Sequence, residues 1–110
     1  DVSKPTFEGI VFDEYYGSGF TFHGCENLSN IKLSNNIVTL PSYFAYDCKQ
    51  LEAVQWGSNL KNIHGYAFKN CKALKKLDIS KNNITQIGNY AFENCTNLSY
   101  VRFNSRINAS

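Results

Sequence analysis

The stretch that decides the fold runs from Gly65 to Ile79 and reads GYAFKNCKALKKLDI. Its words recur in residues 90–103 as YAFENCTNLSYVRF, and more loosely in residues 47–56 (DCKQLEAVQW) and 22–33 (FHGCENLSNIKL). Every copy holds one cysteine, and the four are Cys25, Cys48, Cys71 and Cys95. Their spacings of 23, 23 and 24 residues indicate a solenoid, because a fixed period of that length marks a repeat that forms one coil of a stack.

The apolar residues of the copies line up when they are counted from the cysteine. Six residues on are Ile31, Val54, Leu77 and Val101. Eight residues on are Leu33, Trp56, Ile79 and Phe103. These two sets are separated by one residue, which is the alternation of a short β-strand. Further apolar residues of the third coil, Ile84 and Ile87, come one residue late, so its extra residue lies in the polar turn 80–83, where an insertion is tolerated.

A compact return segment precedes each cysteine. It carries Ala67-Phe68 and Ala91-Phe92, whereas the second coil has Phe44-Ala45 in the reverse order. With only about eight residues available, we predict one helical turn here and no longer helix. A column of aromatic residues flanks the returns, and we interpret it as cover for the edge of the core, with a strip for a partner as the alternative. Its members are Phe20, Tyr43, Tyr66 and Tyr90.

The four cysteines occupy one phase of the repeat, so we expect them to form a column along the stack. Neighbouring coils lie roughly 4.8 Å apart, which is close enough for a disulfide by Cα distance. Side chains in such a column point in parallel, however, and we favour a ladder of buried free thiols, with disulfides or reactive thiols as the alternative. A four-cysteine zinc site is excluded, because the outer thiols would be about 14 Å apart and zinc ligands must converge.

The repeats divide the chain into coils of a single domain, about 4.5 in number. They are a degenerate first coil at residues 1–24, full coils at 25–47, 48–70 and 71–94, and a partial coil at 95–110. In the first coil, Phe7, Ile10 and Phe12 have the same spacing as Leu28, Ile31 and Leu33.

Both ends of the chain differ from its middle. Terminal repeats are usually atypical because they cap a solenoid, but no polar cap follows the strand expected at 101–103. The chain also begins at Asp1 and contains no methionine, so we expect it to be a fragment of a longer protein. An uncapped strand stack further predicts end-to-end self-association.

Composition and motifs exclude several functions. The chain has 110 residues and a net charge of +2 with both signs interspersed, so no strong field favours nucleic acid or an anionic membrane. No apolar run approaches the ~20 residues of a membrane span. The sequence shows no Ser-His-Asp order, glycine-rich phosphate loop or metal-ligand spacing. We therefore predict a protein that is not an enzyme and has no catalytic residues, cofactor or metal.

The words Leu-x-x-Ile-x-Leu and Ile-x-x-Ile-x-x-Tyr-Ala-Phe-x-Asn-Cys resemble the BspA-type leucine-rich repeats. The resemblance covers residues 20–107, with a weaker extension to residue 7. It implies a curved, right-handed leucine-rich-repeat solenoid of the α/β class, with short parallel strands on its concave face and one-turn helical returns. It also implies cell-surface proteins of bacteria and some protozoa that bind host proteins, matrix or other cells. Pro41, Ala45 and the longer third coil depart from the pattern and are expected to disturb the stack locally.

The outward residues of the strands are the candidates for partner binding. They alternate with the apolar ones and line up between coils. Tyr100 and Arg102 are the expected anchors, since Tyr and Arg are enriched in binding hot spots. The candidate set is Lys32, Gln55, Lys76, Asp78, Tyr100 and Arg102. The alternative interpretation is a solvated sheet face without a partner in this part of the protein.

Three functional hypotheses follow. The first is a non-catalytic binding module of an extracellular or cell-surface adhesin-like protein, which recognises protein or glycan through the concave strand face. The second is a structural spacer that presents other domains at the cell surface. The third and weakest is an intracellular scaffold, which unpaired thiols would suit. Membership of a fold family carries over no particular ligand.

Overall fold

The computed structural model describes residues 22–104 in full and gives the backbone alone for residues 6–10 and 108–109. Within this part of the chain it contains short β-strands joined by turns, and no helix is assigned. The strands are β1 (Thr6–Ile10), β2 (Asn30–Leu33), β3 (Thr39–Leu40), β4 (Ala53–Gln55), β5 (Asn62–Ile63), β6 (Lys76–Asp78), β7 (Gln86–Ile87), β8 (Tyr100–Arg102) and β9 (Asn108–Ala109).

The strands stack coil upon coil, as a repeat solenoid requires. The longer strands form a β1-β2-β4 sheet and a β6-β8 sheet, and the two-residue strands form a β3-β5-β7-β9 sheet. Every pairing is parallel, and those among β2 to β8 join equivalent positions of successive coils. We call the surface formed by the outward side chains of β2, β4, β6 and β8 the strand face.

The strand registers confirm most of the repeat alignment. Ile31 pairs with Val54, and Leu77 pairs with Val101, as the positions counted from the cysteines predict. Ile63 pairs with Ile87, 24 residues later, so the third coil has absorbed its extra residue before β7. The alignment of the first coil was wrong. Phe7, not Ile10, pairs with Ile31, and an irregularity in β1 then brings Ile10 opposite Leu33; Phe12 lies outside the described residues.

The core is a set of columns that run through the coils. Leu28, Leu51 and Leu74 are buried, and so are the aliphatic residues that follow the polar turns, Ile37, Leu60 and Ile84. Val101 and Phe103 were expected to share the core phase, but they are 44% and 49% exposed. The physical reason is that β8 is the outer strand of the β6-β8 sheet, so their outward side is covered by no further strand of the part that the structure describes.

The return segments are chains of turns rather than a helical turn. In the second coil, Phe44 N donates to Pro41 O, Tyr46 N to Tyr43 O and Cys48 N to Ala45 O, at 3.2–3.3 Å. In the returns before Cys48, Cys71 and Cys95, two positions have a positive φ, which a right-handed helix cannot contain. One is held by Tyr43, Tyr66 and Tyr90, with φ of 62° in each. The other, directly before the cysteine, is held by Gly24, Asp47, Asn70 and Asn94, the residue types that best tolerate this region.

Aromatic rings form two ladders beside the returns. Tyr66 stacks between Tyr43 and Tyr90, with centroid distances of 5.2 and 5.4 Å, while Phe20 lies outside the described residues. A second ladder crosses the interior through Phe22, Phe44, Phe68 and Phe92, with centroids 5.3–5.9 Å apart. Phe44 keeps its place in this ladder although it comes one residue early in the chain. The exchange of Phe and Ala in the second coil therefore preserves the packing of the core.

Candidate functional site

The structure distributes the predicted binding residues over two separate sheets. Lys32 on β2 lies opposite Gln55 on β4. The other four form two cross-strand pairs on β6 and β8, Lys76 with Tyr100 and Asp78 with Arg102. The set thus lies on the strand face as two groups, one in each sheet.

The four residues on β6 and β8 form a connected polar network. The Nζ of Lys76 lies 5.2 Å from the centroid of the Tyr100 ring, a cation–π arrangement. Arg102 donates to the Tyr100 hydroxyl at 3.3 Å, and this bond, together with the charge of Asp78, raises the pKa of the Arg102 guanidinium. Tyr100 is therefore held between two cations, and 43% of this residue is exposed.

Asp78 is held in its ionised form within this network. Its Oδ1 accepts hydrogen bonds from the hydroxyl and the backbone N–H of Ser80, at 2.7 and 3.1 Å. These bonds, with smaller contributions from Arg102 and Lys76, keep the pKa of the Asp78 carboxyl below its ordinary value. The strand face therefore presents a fixed negative charge among positive ones.

The strand face is interrupted between β4 and β6. These strands belong to successive coils, yet they are in different sheets and are not paired. Before the interruption, Lys75 N donates to Glu52 O at 3.5 Å. After it, the side-chain amide of Asn82 donates to Gly57 O at 2.6 Å. The two coils are thus joined at both ends of a short open segment.

Two features of the sequence account for this opening. Trp56 stands in the column that otherwise holds Leu33 and Ile79, and its large indole packs edge to face against Phe68 at 5.4 Å. In the next coil, the longer turn 80–83 folds Asn82 inward, and only 7% of this residue remains exposed. A larger side chain on one coil and an additional residue on the next prevent regular pairing between them.

A cleft of about 460 Å³ occupies the opening. It is lined by Ala53, Val54, Gln55, Trp56, Lys76, Asp78, Lys81 and Asn82. Three of these, Gln55, Lys76 and Asp78, were singled out from the sequence as binding residues. Trp56, Lys81 and Asn82 were not. The sequence did contain a clue to this part of the site. Trp56 replaces the smaller aliphatic residue of its column, and the following coil carries the additional residue in the turn 80–83.

The cysteines form a ladder in the interior and leave no thiol in the cleft. All four are free, with Cys48 and Cys71 buried and Cys25 and Cys95 half-buried. Three of the four thiols donate to a carbonyl of the return segment one repeat upstream: Cys48 to Phe22 O, Cys71 to Ala45 O and Cys95 to Phe68 O, at 2.9–3.2 Å. Burial raises the pKa of Cys48 and Cys95 to about 11, and that of Cys71 further. These thiols bridge the coils and are poor nucleophiles, since the thiolate is the reactive form.

The repeat pattern, the parallel stacking and the ladders agree with one family. The family description "BspA type leucine rich repeat region" matches the chain over residues 18–109, in six copies. The chain belongs to the BspA-type leucine-rich repeat family. No curated protein and no solved structure matches it.

In this BspA-type repeat protein, the strand face and its cleft bring together the polar and aromatic side chains described above. Among the described residues, no group of three or more His, Cys, Asp or Glu side chains is arranged to hold a metal ion. In the same part of the chain, no helix has the length and apolar character needed to cross a bilayer. What the face offers chemically is cations, one carboxylate, amide groups and two large aromatic rings, which suit non-covalent binding.

Proposed function

We propose that the chain is a non-catalytic binding module of a cell-surface or secreted adhesin-like protein, and that it recognises protein or glycan through the strand face. The observation that carries this proposal is the network of Lys76, Tyr100, Arg102 and Asp78. Tyr and Arg side chains are typical anchors of interfaces. Here they are fixed by neighbours on a rigid sheet, so little side-chain entropy is lost when a partner binds.

The family supports the same proposal. BspA-type repeats form binding or structural modules, and the family is usually found at the cell surface. The free thiols of Cys48, Cys71 and Cys95 are compatible with an oxidising exterior, because desolvation by burial raises the pKa of each and so protects it from oxidation. The adhesin role and the use of the strand face are our inference from these properties.

A structural spacer is the second candidate, and the ladders between coils favour it. Within residues 22–104, successive coils are joined by the Tyr43–Tyr66–Tyr90 stack, by the cysteine bonds and by the bond from Asn70 to Asp47 at 2.7 Å. Such a stack is stiff along its length. A spacer, however, needs no network of cations and aromatic rings on its strand face.

A charge-reversal experiment separates the binder from the spacer. The variant Lys76→Glu with Arg102→Glu removes both cations that flank Tyr100. The matched control, Lys49→Glu with Lys61→Glu, makes the same change of charge at two exposed lysines outside the strand face. The two variants and the unaltered chain are coated on beads after circular dichroism has shown that they are folded. Each is tested for adhesion to cultured cells, immobilised matrix proteins and a glycan array.

We expect adhesion to fall about tenfold or more in the strand-face variant, because truncated hot spots cost over 1.4 kcal/mol. The control is expected to bind like the unaltered chain. Equal adhesion of all three proteins would leave the spacer as the better description. Equal loss in both variants would assign the adhesion to overall charge and would also argue against the strand face.

A further inference from the structure

We propose that the cleft between β4 and β6 is a subsite for an acidic pyranose, a sugar ring that carries a carboxylate. This inference rests on the proposed binding function and names the ligand chemistry of one part of the strand face. Two sources share this chemistry, uronic acids and sialic acids, and the experiment below distinguishes them.

The shape of the cleft favours a compact group over a running peptide. Along the strand direction it is closed at one end by the bond from Lys75 N to Glu52 O and at the other by the bond from Asn82 to Gly57 O. The open segment between these bonds covers about four residues of strand, or roughly 13 Å. An extended peptide would have to pass over one of the two closures. A volume of about 460 Å³ is within the range of small-molecule sites, roughly 300–1,000 Å³.

The charges around the cleft favour an anion. Lys76 and Lys81 supply two ammonium groups and Asp78 supplies one carboxylate, so the lining has a net positive charge. Within the described residues, neither lysine makes a salt bridge. Asp78 has one oxygen, Oδ1, already engaged by Ser80. A ligand carboxylate can therefore approach the ammonium groups, while the remaining Asp78 oxygen is available to accept a hydrogen bond from a sugar hydroxyl.

The remaining lining suits the rest of a sugar. Trp56 is the only aromatic residue among the described residues that line the cleft, and the C–H groups of a pyranose ring can pack against its indole. Gln55 adds an amide that can both donate to and accept from hydroxyl groups. The side-chain N–H of Asn82 donates to Gly57 O, which leaves the side-chain oxygen of Asn82, Oδ1, as an acceptor. Apolar surface with a few convergent polar groups is the usual composition of a ligand site.

The chain provides its own reporter of binding. Trp56 is the only tryptophan in the sequence, so intrinsic tryptophan fluorescence reports on this cleft alone. The probes are sodium glucuronate and N-acetylneuraminate, each compared with its neutral methyl ester. We expect a saturable fluorescence change with at least one acid and affinity about tenfold weaker for its ester, since a charge-assisted contact is lost. The acid that binds more tightly identifies the source.

Matched variants locate the site. Lys81→Gln should weaken binding of the acid about tenfold and leave the ester unaffected, whereas Lys61→Gln, an exposed lysine outside the strand face, should change neither. Trp56→Leu restores the residue type of Leu33 and is expected to close the cleft, so calorimetry should detect no binding. The absence of saturable binding of either acid to the folded chain, equal binding of acid and ester, or an unaffected Lys81→Gln would overturn the proposal.

Failure of this inference can be told apart from failure of the proposed function. Arg102 does not line the cleft. If Arg102→Glu abolishes bead adhesion while Trp56→Leu does not, the strand face binds the partner and the sugar subsite does not contribute to adhesion. If the acid binds to the chain but the charge-reversed strand face adheres normally, the subsite stands and the adhesin proposal falls.

Discussion

The side-chain amide of Asn70 donates to Asp47 Oδ1 at 2.7 Å, across 23 residues of chain. The amide of Asn94 repeats the contact on Asn70 Oδ1 at 2.9 Å. All three residues have a positive φ of 60–65°. One position of the repeat thus has two functions, because the residue that permits the turn before the cysteine also bonds to the equivalent residue of the preceding repeat.

Asn70→Ala should lower the free energy of unfolding by about 2–4 kcal/mol. It removes both ladder bonds of Asn70, each contributing about 1 kcal/mol, and puts alanine in a left-handed conformation that asparagine tolerates better, at an additional cost of up to about 2 kcal/mol. Asn70→Gly is the control, since it removes the bonds and permits the backbone conformation. Urea unfolding should place the glycine variant between the alanine variant and the unaltered chain; an alanine variant as stable as the original would contradict the ladder.

Stability should fall at high pH because of the thiol ladder. Burial raises the pKa of Cys48 and Cys95 from 9.0 in the unfolded chain to about 11. A folded pKa above the unfolded value means that the thiol contribution is complete below about pH 9 and is lost as the pH rises toward 11. Lys and Tyr also titrate there, so the measurement is the difference in urea unfolding between the chain and Cys48→Ala. That difference should shrink from about pH 9 upward, and a constant difference would count against the raised pKa.

Gly88→Ala should be far more destabilising than Gly24→Ala. A β-carbon on Gly88 would lie 2.5 Å from Gly65 N and 2.9 Å from His64 C, both backbone atoms of the preceding coil. The coils would have to separate, at about 3 kcal/mol or more. At Gly24 the added carbon meets nothing within 4 Å, and the cost arises from its φ of +72°, about 1–2 kcal/mol. Thermal unfolding of both variants tests this order, and similar melting temperatures would show that the coils can yield at Gly88.

The tyrosine stack offers an internally matched comparison. Tyr66 stacks on Tyr43 and on Tyr90, whereas among the residues that the structure describes Tyr90, the last of the three, stacks on Tyr66 alone. Both residues have a φ of 62°, so replacement by leucine changes the backbone cost equally. With about 0.5–1.5 kcal/mol for each ring pair, Tyr66→Leu should cost roughly twice as much as Tyr90→Leu in urea unfolding. A larger loss at Tyr90 would show that the stack is not what these rings contribute.

The outer strand should promote association between chains. Val101 lies in β8 and Phe103 directly follows it, and both are exposed large apolar residues. Sedimentation of the chain should show a concentration-dependent increase in mass that Val101→Lys with Phe103→Lys abolishes, because exposed apolar strands pair edge to edge. Lys72→Ala with Lys75→Ala, in the exposed turn before β6, is the control. A chain that sediments as a monomer at all concentrations would remove this prediction.

The repeat made most of the fold predictable, since it could be read by counting. Pairings such as Leu77 with Val101 were confirmed because residues at one phase must stack when coils stack. The first coil was misaligned, because its spacing matched the pattern by chance while β1 contains an irregularity between Phe7 and Ile10. The helical return was not observed, because a period and an apolar pattern do not indicate the sign of φ. Asn, Asp and Gly before the cysteines were the available clue.

The binding residues were predictable only as positions on a strand. Which of them meet depends on the distance between coils, which a repeat alignment assumes to be constant. Trp56 appeared to be a core residue because it shares a column with Leu33 and Ile79. Trp56 does pack against the core, through its edge-to-face contact with Phe68, and it also lines the cleft between β4 and β6, which the column did not indicate.

The sequence by itself determined the stacking of like residues, since a repeat of 23 residues places the same side chains at similar depth in coils that are covered on both sides. It therefore established the aliphatic core, the cysteine column and the outward position of Lys76 and Arg102. Only the tertiary structure decided where the stack opens and which polar groups converge there. The reason is that packing depends on the volumes of residues in neighbouring coils taken together. Trp56 and Asn82 belong to different coils, and they line one cleft only because the stack brings the turn of Asn82 to Gly57 O, 25 residues earlier in the chain.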